Sequence, residues 1–281
     1  MNKLFVLILI IFTVLSITAF ILQIAYNDKC CQKETFSNIE KTRNNVNITA
    51  VILNYSRPHN VIKQVNKLGN NPYIKEIIIG HGNPKTYSKF KHKMTHVRNI
   101  KDYDNNKKYY ALRRFLLALN ARNNIILMLD DDYIPSDQYI DDLITQYMLD
   151  PDNFYGYYSR KCDNTGYHES YPGRGIAAVD TNIILTGVSF MGKHIIQNVW
   201  NDISASPYLH EIATINKGNG EDLLFNYHFQ QRYKKNPVLV KGDVLHLDKS
   251  NGYHNQPGHY DIRNTLCKKF NLAGKNKIAK L

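Results

Sequence analysis

The sequence has few of the residues that mark several specialised protein classes. Its 281 residues include four cysteines, nine prolines and fifteen glycines. Four cysteines are too few for a small secreted module held together by disulfides, and so little glycine and proline excludes a collagen-like repeat. With 43% hydrophobic and 21% charged residues, a wholly disordered chain and a polytopic membrane protein are excluded as well. The length suits one large α/β domain or two small ones.

Several functional motifs are absent too. The chain has no Gly-x4-Gly-Lys-Ser/Thr phosphate loop and no nucleophile elbow, and its acidic run Asp130–Asp137 lacks the glycine and the final glutamate of an EF-hand. Negative charge is scarce: 36 lysines and arginines against 24 acidic residues give a net charge of +12. This charge suits an anionic ligand, such as a nucleotide sugar. Because charge is the sole argument for nucleic acid, we expect no nucleic-acid partner.

The first 26 residues are predicted to form a separate unit. From Leu4 to Tyr26 no residue is charged, and a helix of this length, at about 1.5 Å per residue, crosses a hydrocarbon core of roughly 30 Å. The run is longer than a usual signal peptide, and no Ala-x-Ala site follows it. We therefore predict an uncleaved signal anchor over residues 1–26, with a cleaved signal peptide or a buried core helix as alternatives. Lys3 favours a single-pass type II orientation, with the remaining chain in an ER- or Golgi-like lumen.

Residues 27–46 are polar and aperiodic, which predicts a short stem after the anchor. Cys30 and Cys31 follow the anchor directly. Cysteines at this position are palmitoylated, link two chains into a homodimer in an oxidising lumen, or stay unmodified. The sequence leaves these three outcomes open.

The chain after residue 46 alternates between strand and helix patterns. Ile48–Leu53 and Ile74–Ile79 are short, β-branched apolar runs, and Ile125–Leu129 is a fully apolar run typical of a central parallel strand. Segments with helical spacing follow the strands, at Val61, Ile62, Val65 and Leu68, at Leu112, Phe115, Leu116 and Leu119, and at Ile140, Leu143, Ile144, Tyr147 and Met148, the last capped by Ser136. This order predicts an open, mostly parallel sheet flanked by helices, which binds ligands beyond the carboxyl ends of its strands.

Three consecutive aspartates, Asp130–Asp132, follow the predicted central strand directly. Carboxylates at such a position repel one another and lose hydration unless a cation neutralises them. Oxygen ligands suit Mg²⁺ or Mn²⁺, which keep coordination positions open for a diphosphate. The alternative is a solvated acidic turn that caps the next helix, but the position after a buried strand favours the metal site.

Five segments occur in one order along the chain. They are Ile126–Ser136, Gly156–Lys161, Asn182–Phe190, Asn219–Asn226, and the tail from Leu247 to Cys267. Together they resemble the motifs of the exostosin-like glycosyltransferases, family sixty-four, which have the GT-A fold. A lone Asp-x-Asp is a weak signal, whereas five elements in order are specific.

The resemblance implies an α/β GT-A domain over residues 47–281, with a nucleotide-binding half (47–135) and an acceptor-binding half (136–281). It also implies a retaining transferase that uses Mn²⁺ (or Mg²⁺) and moves a sugar, such as N-acetylhexosamine, from a UDP-sugar to a glycan or glycoprotein. Position by position, Asp132 and Asp130 would bind the metal, and Asp222 with Glu221 would be catalytic. The implied donor-binding residues are Asn54, Arg114, Asp130, Asp131, Arg160 and Arg263.

The chain departs from the family pattern at a cysteine. The family's cysteine before the acidic pair is Gly220 here, whereas Cys267 is retained, so the usual bridge is absent. A bridge between Cys162 and Cys267 is an alternative that the sequence leaves open. Arg263 lies one position from the family's C-terminal arginine.

Two other functions remain as alternatives. One is a catalytically silent module that binds a UDP-sugar or a glycan; retention of Asp132 and Asp222 argues against it. The other is a sugar-phosphate nucleotidyltransferase. Such enzymes carry a Gly-rich basic loop after the first strand, where this chain has Asn54–Pro58.

Overall fold

The computed structural model describes residues 45–169, 181–250 and 255–272, and the backbone of 277–278. The predicted anchor (1–26) and nearly all of the predicted stem, including Cys30 and Cys31, lie outside the described residues. Within those residues, no helix is both long and apolar enough to cross a membrane. The chain divides between residues 46 and 47 into two units, and the second carries the fold described below.

Thirteen strands form one large sheet and two small ones in the described part of the chain. Their bounds are β1 Ile48–Asn54, β2 Ile74–His81, β3 His96–Lys101, β4 Ile125–Leu129, β5 Tyr133–Pro135, β6 Phe154–Gly156, β7 Ser159–Asp163, β8 Gly166–His168, β9 Ile183–Ile184, β10 Val188–Gly192, β11 Val238–Leu239, β12 Val244–His246 and β13 Lys277–Ile278. The large sheet has the order β13-β11-β6-β10-β4-β1-β2-β3. Only β10 runs antiparallel to its neighbours in this sheet, so the predicted α/β fold with a mostly parallel sheet is confirmed.

Seven helices of seven or more residues flank the strands in the described part of the chain. Their bounds are α1 Pro58–Leu68, α2 Tyr103–Tyr109, α3 Arg113–Leu119, α4 Asp137–Leu149, α5 Lys193–Ala205, α6 Glu221–Tyr233 and α7 His259–Phe270. Short helical turns lie at Pro84–Thr86, Tyr110–Leu112, Tyr208–His210 and Glu211–Ile215. The Ser136 hydroxyl accepts a hydrogen bond from the Tyr139 amide at 3.1 Å, which confirms the predicted cap of α4.

Strand β4 occupies the centre of the large sheet, as predicted. It pairs with β1 on one side and β10 on the other, and Ile126–Leu129 are fully buried. Strand β3 was not predicted, because this edge strand is only partly buried and its sequence, His-Val-Arg-Asn-Ile-Lys, contains no apolar run. In α1, Val61, Val65 and Leu68 are buried as expected, but Ile62 is 49% exposed; its inclusion in the buried face was wrong.

The structure pairs Cys162 of β7 with Cys267 of α7 in a disulfide, with a Cα–Cα distance of 5.1 Å. This answers the question that the sequence left open. Gly220 has φ +97°, and a Cβ atom there would lie 2.3 Å from Cδ1 of Leu266, the neighbour of Cys267. Both the backbone and the packing therefore disfavour a cysteine at position 220, and the bridge instead joins β7 to α7.

Candidate active site

The acidic turn, Asp130–Asp132, lies at the carboxyl end of β4, and two other segments hold its backbone. From α1, Gln64 Nε2 donates to the carbonyl oxygens of Asp130 and Tyr133 at 2.7 and 2.8 Å. The amide of Leu247 donates to the Asp132 carbonyl at 2.8 Å. Because the backbone is held from both sides, the three carboxylates project from a fixed edge of the sheet.

Arg57, the residue before α1, faces the acidic turn. Its guanidinium bonds to the Asp131 carboxylate, lies 3.5 Å from Asp132 Oδ2 and donates to the Asp248 carbonyl at 3.1 Å. The Arg57 side chain is only 11% exposed. Arg57 was not predicted as a site residue, since the sequence indicated only a turn at this point. The one available signal was its position just after β1, at the edge where ligands bind.

The arginine contacts leave the acidic turn short of positive charge. Asp132 Oδ1 is buried and has no hydrogen-bond partner among the described residues. Burial, followed by the nearby Asp130 carboxylate, raises the pKa of Asp132 to about 7. Burial also raises the pKa of Asp131 to about 6, against the opposing effect of Arg57. A divalent cation would supply the missing charge.

The side chains present fit a cation that is only partly bound by protein. No three His, Cys, Asp or Glu side chains of the described residues converge on a ready-made metal site. Mg²⁺ and Mn²⁺ often use one or two carboxylates and take their other ligands from water and substrate phosphates. Asp132, with its unpartnered oxygen, and Asp130, whose side chain is 38% exposed, match that pattern.

Arg114 joins the acidic turn to a second acidic segment. Its Nη2 atom lies 2.8 Å from Asp130 Oδ1 and 3.6 Å from Glu221 Oε1, and its Nη1 donates to the Thr186 carbonyl at 3.0 Å. The side chain is 5% exposed, which excludes a solvated helix face. Two carboxylates far apart in sequence thus share one buried guanidinium.

The acidic pair, Glu221–Asp222, begins α6, immediately after Gly220. Asp222 Oδ2 lies 2.5 Å from Nη2 of Arg263 on α7, and Oδ1 accepts a bond from the Leu223 amide at 2.8 Å. Both side chains of this ion pair are nearly buried. Burial, followed by the Asp222 carboxylate, raises the pKa of Glu221 to about 7. The predicted catalytic residues therefore lie beside the acidic turn, and Arg114 bridges the two.

The remaining predicted donor residues are placed differently. Asn54, at the end of β1, is fully buried and its amide nitrogen donates to His81 Nδ1 at 2.9 Å. Arg160 donates to the Ser159 carbonyl at 2.9 Å, and its guanidinium lies 6.0 Å from the centre of the Tyr158 ring. Arg263, another predicted donor-binding residue, pairs with Asp222. The structure thus brings the acidic turn, Arg114 and Glu221 together, whereas the described contacts of Asn54 and Arg160 are elsewhere.

A buried ion pair beside this site was also missed from the sequence. Arg113, the neighbour of Arg114, is 1% exposed and donates to Asp102 Oδ2 at 3.0 Å, to the Gly80 carbonyl at 3.0 Å and to Asn106 Oδ1 at 3.1 Å. These contacts hold the start of α3 in place and thereby the position of Arg114. No local sequence pattern predicts the Arg113–Asp102 pair, because two adjacent arginines on a short helix are equally typical of a solvent-exposed helix face.

Comparison with known proteins identifies one family. The model of the glycosyl transferase family 64 domain matches residues 48–276, which include the acidic turn, Arg114 and the acidic pair. A search of curated proteins finds no match to this chain.

Proposed function

The chain belongs to glycosyl transferase family 64, and we propose that it moves an N-acetylhexosamine from a UDP-sugar to a hydroxyl of a glycan or glycoprotein acceptor. Family membership makes it a glycosyltransferase. The donor sugar, a requirement for Mn²⁺ (or Mg²⁺), and retention of configuration at the transferred carbon are parts of the proposal. The mostly parallel sheet, with its acidic turn at a carboxyl edge, is compatible with the GT-A fold.

One observation carries the proposal: a single buried guanidinium, Arg114, connects the acidic turn with the acidic pair. A sugar-nucleotide transferase needs a cationic site for the diphosphate and a carboxylate near the sugar. Here the two acidic segments meet across one arginine, so a donor bound along this edge would touch both. Neither segment alone would distinguish a transferase from an ordinary metal-binding turn.

We propose Asp132 and Asp130 as the direct ligands of the metal. When bound, the cation would supply positive charge that stabilises the departing nucleoside diphosphate. Asp131 is held by Arg57 and would orient the donor rather than bind the cation. Arg114 would keep Asp130 in place and contribute a second positive charge at the nucleotide.

Asp222 is the proposed catalytic carboxylate. The anomeric carbon develops positive charge during glycosyl transfer, and a nearby carboxylate stabilises that charge. The ion pair with Arg263 fixes the Oδ2 atom of Asp222, and the neighbouring Glu221 contacts Arg114. Arg263 is thus proposed as a positioning residue rather than as a diphosphate ligand.

The cellular setting is proposed from the sequence alone. We propose that residues 1–26 anchor the chain as a single-pass type II membrane protein, with the transferase domain in an ER- or Golgi-like lumen. A fluorescent tag at either terminus, tested for protease protection in sealed membranes, would establish the orientation. Protection of the amino terminus rather than the carboxyl terminus would contradict it.

The proposal is tested by measuring UDP release from purified full-length protein with a panel of UDP-sugars, in Mn²⁺ or in EDTA. We expect EDTA-sensitive release from one donor, reduced more than about a hundredfold in Asp132→Asn. Asp104→Asn is the matched control, because that carboxylate is fully exposed, and it should leave release unchanged.

Three other outcomes would contradict the proposal. Binding of UDP without release from any donor would favour the silent binding module. Release of pyrophosphate from a nucleoside triphosphate and a sugar phosphate would favour the nucleotidyltransferase. Equal UDP release in Mn²⁺ and in EDTA would contradict the proposed metal requirement.

A further inference from the structure

A groove of about 720 Å³ lies between α5, the turn after it and the second half of α6. Its walls include Asp202, Tyr208, Tyr227, His228, Gln231 and Arg232. On α6, His228 and Arg232 are roughly 9 and 15 Å along the helix axis from Asp222, at 1.5 Å per residue. The groove is therefore separate from the proposed transfer site, yet it lies on the same helix.

Two tyrosine rings form a rigid corner of the groove. The rings of Tyr208 and Tyr227 lie 6.0 Å apart at 79°. Phe270 of α7, itself 5% exposed, stacks on Tyr227 at 4.8 Å and contacts Tyr208 at 5.1 Å. Because buried Phe270 already holds both rings, a ligand that packs against them meets a preformed apolar surface.

The polar groups of the groove are also fixed before any ligand binds. Arg232 donates to Asp202 through Nε at 2.6 Å and Nη2 at 2.7 Å, a two-pronged pair. Each carboxylate oxygen of Asp202 retains capacity to accept another hydrogen bond. Nε2 of His228 is buried, so the hydrogen bonds that the groove offers to a ligand come from Asp202 and Arg232.

The charge balance of the groove selects among ligand classes. Asp202 and Arg232 neutralise each other, and Gln231 is uncharged. Burial lowers the pKa of His228, so its ring is neutral near pH 7. Lys269 lies over the Tyr208 ring at 4.9 Å, but its charge is paired with Glu211. A phosphate or polyanion would therefore find no uncompensated positive charge here. A neutral ligand with hydroxyl groups and an apolar face matches both the tyrosine corner and the polar rim.

We propose that this groove is a second carbohydrate-binding site, which holds neutral sugar units of a glycan at a distance from the transfer site. A pyranose ring presents an apolar C–H face to Tyr227, and its hydroxyls bond to Asp202 and Arg232. The link to the acceptor rests on the proposed function, but binding itself does not. A glycan held at both sites would gain affinity from the second site without new contacts at the first.

Binding is tested with full-length protein on an array of neutral hexose and N-acetylhexosamine oligosaccharides, followed by titration calorimetry with the best-bound one. Tyr227→Ala and Arg232→Ala should each weaken binding by about tenfold. Arg232 is exposed, so its variant tests the site even if Tyr227→Ala fails to fold. Tyr233→Ala is the matched control on the same helix: Tyr233 stacks on Phe229, lies outside the groove and should leave affinity unchanged.

Two readouts separate this inference from the proposed function. In the groove variants, UDP release from donor alone should be unchanged, whereas KM for a long acceptor should rise about tenfold and KM for a monosaccharide acceptor should not. The protein could turn over no donor and still bind neutral glycans, with weaker binding in the groove variants. That result would support the second site and contradict the transferase proposal. Absence of neutral-glycan binding, equal binding by Arg232→Ala, or retention of only peptides or anionic glycans would overturn the inference.

Discussion

The acidic turn and the Asp222 carboxylate each face a buried arginine, but they differ in how completely the carboxylate oxygens are satisfied. In the acidic pair, both oxygens of Asp222 have a donor: Arg263 on one and the Leu223 amide on the other. In the acidic turn, three carboxylates share Arg57 and Arg114, and Asp132 Oδ1 has no partner among the described residues.

This difference separates an ion pair whose charges balance from a carboxylate cluster whose charge the two arginines balance only in part. Asp222 and Arg263 balance each other's charge, so the pair is stable without a ligand. Burial, followed by the negative charge of the neighbouring Asp130, raises the pKa of Asp132, and the excess negative charge of the acidic turn favours any cation that reaches it. In the proposed function, the same residue types would serve a positioning role in one region and a binding role in the other.

The largest expected effect comes from removing Arg263, the partner of Asp222. Arg263→Met leaves a buried, unpaired Asp222 and should lower the free energy of unfolding by about 3–5 kcal/mol. Urea denaturation measures this change. Arg232→Met is the control, because its pair with Asp202 is exposed and should matter far less.

Metal binding by Arg263→Met tests whether the acidic turn is independent of Asp222 and Arg263. Direct Mn²⁺ titration of Arg263→Met should give the wild-type affinity, because the acidic turn is held by Arg57, Arg114 and Gln64. Adding Asp222→Asn should restore part of the stability without restoring UDP release. A loss of Mn²⁺ affinity in Arg263→Met would mean that the two regions are one cooperative unit.

A somewhat smaller effect is expected from the disulfide. Cys162 and Cys267 close a loop with a sequence separation of 105, and replacing both by alanine should cost about 2–4 kcal/mol. Arg263 lies four residues before Cys267, on the same face of α7, so UDP release should fall as well. Urea denaturation with and without a reductant measures the stability.

The matched control replaces the other two cysteines, Cys30 and Cys31, by serine, which should leave the unfolding curve of the domain unchanged. The comparison also predicts that the alanine variant keeps its Mn²⁺ affinity, since the bridge supports α7 and not the acidic turn. Weaker Mn²⁺ binding in this variant would contradict that independence.

The smallest effect concerns the pH dependence of Glu221. Its pKa is raised from 4.5 to about 7, so the folded protein keeps a proton that the unfolded chain releases. This contribution to stability is full below pH 4.5 and is lost as the pH rises through about 7. Glu221→Gln mimics the protonated form and removes this dependence.

We therefore expect Glu221→Gln to match the wild type near pH 4.5 and to exceed it in unfolding free energy by about 2 kcal/mol near pH ~8. This expected difference in unfolding free energy is smaller than the free energy equivalent to the whole pKa shift, because the Glu221 side chain is 13% exposed. Urea denaturation across this pH range, without added metal, measures it. A constant difference between the two proteins would show that Glu221 does not titrate in this range.

Several features of the fold and the site could be predicted because their causes are local. A fully apolar run followed directly by aspartates predicts a buried strand that ends at the ligand edge, and β4 with the acidic turn matches this. Ser136 caps α4 through the amide of Tyr139, three residues away. The order of five motifs, which the family model supports over residues 48–276, pointed to both acidic segments.

Other features were missed because their patterns are weak or their partners are distant. Strand β3 is a polar edge strand, so no apolar alternation marked it. Gly220 signalled the loss of one bridge, but the partner of Cys267 depended on how β7 and α7 pack. The groove beside Tyr227 combines residues of two helices and a turn, and no single segment indicates it.

The sequence by itself determined where the carboxylates lie along the chain, which strand precedes them and which helices are amphipathic, since these follow from the periodicity of neighbouring residues. The tertiary structure decided which arginine meets which carboxylate. With 36 basic and 24 acidic residues, many pairings satisfy the sequence, and only the folded chain selects Arg57 for Asp131 and Arg263 for Asp222. Burial removes water from both partners and makes an unpaired charge costly, so each buried charge needs its partner, and burial is a property of the packed fold rather than of any segment.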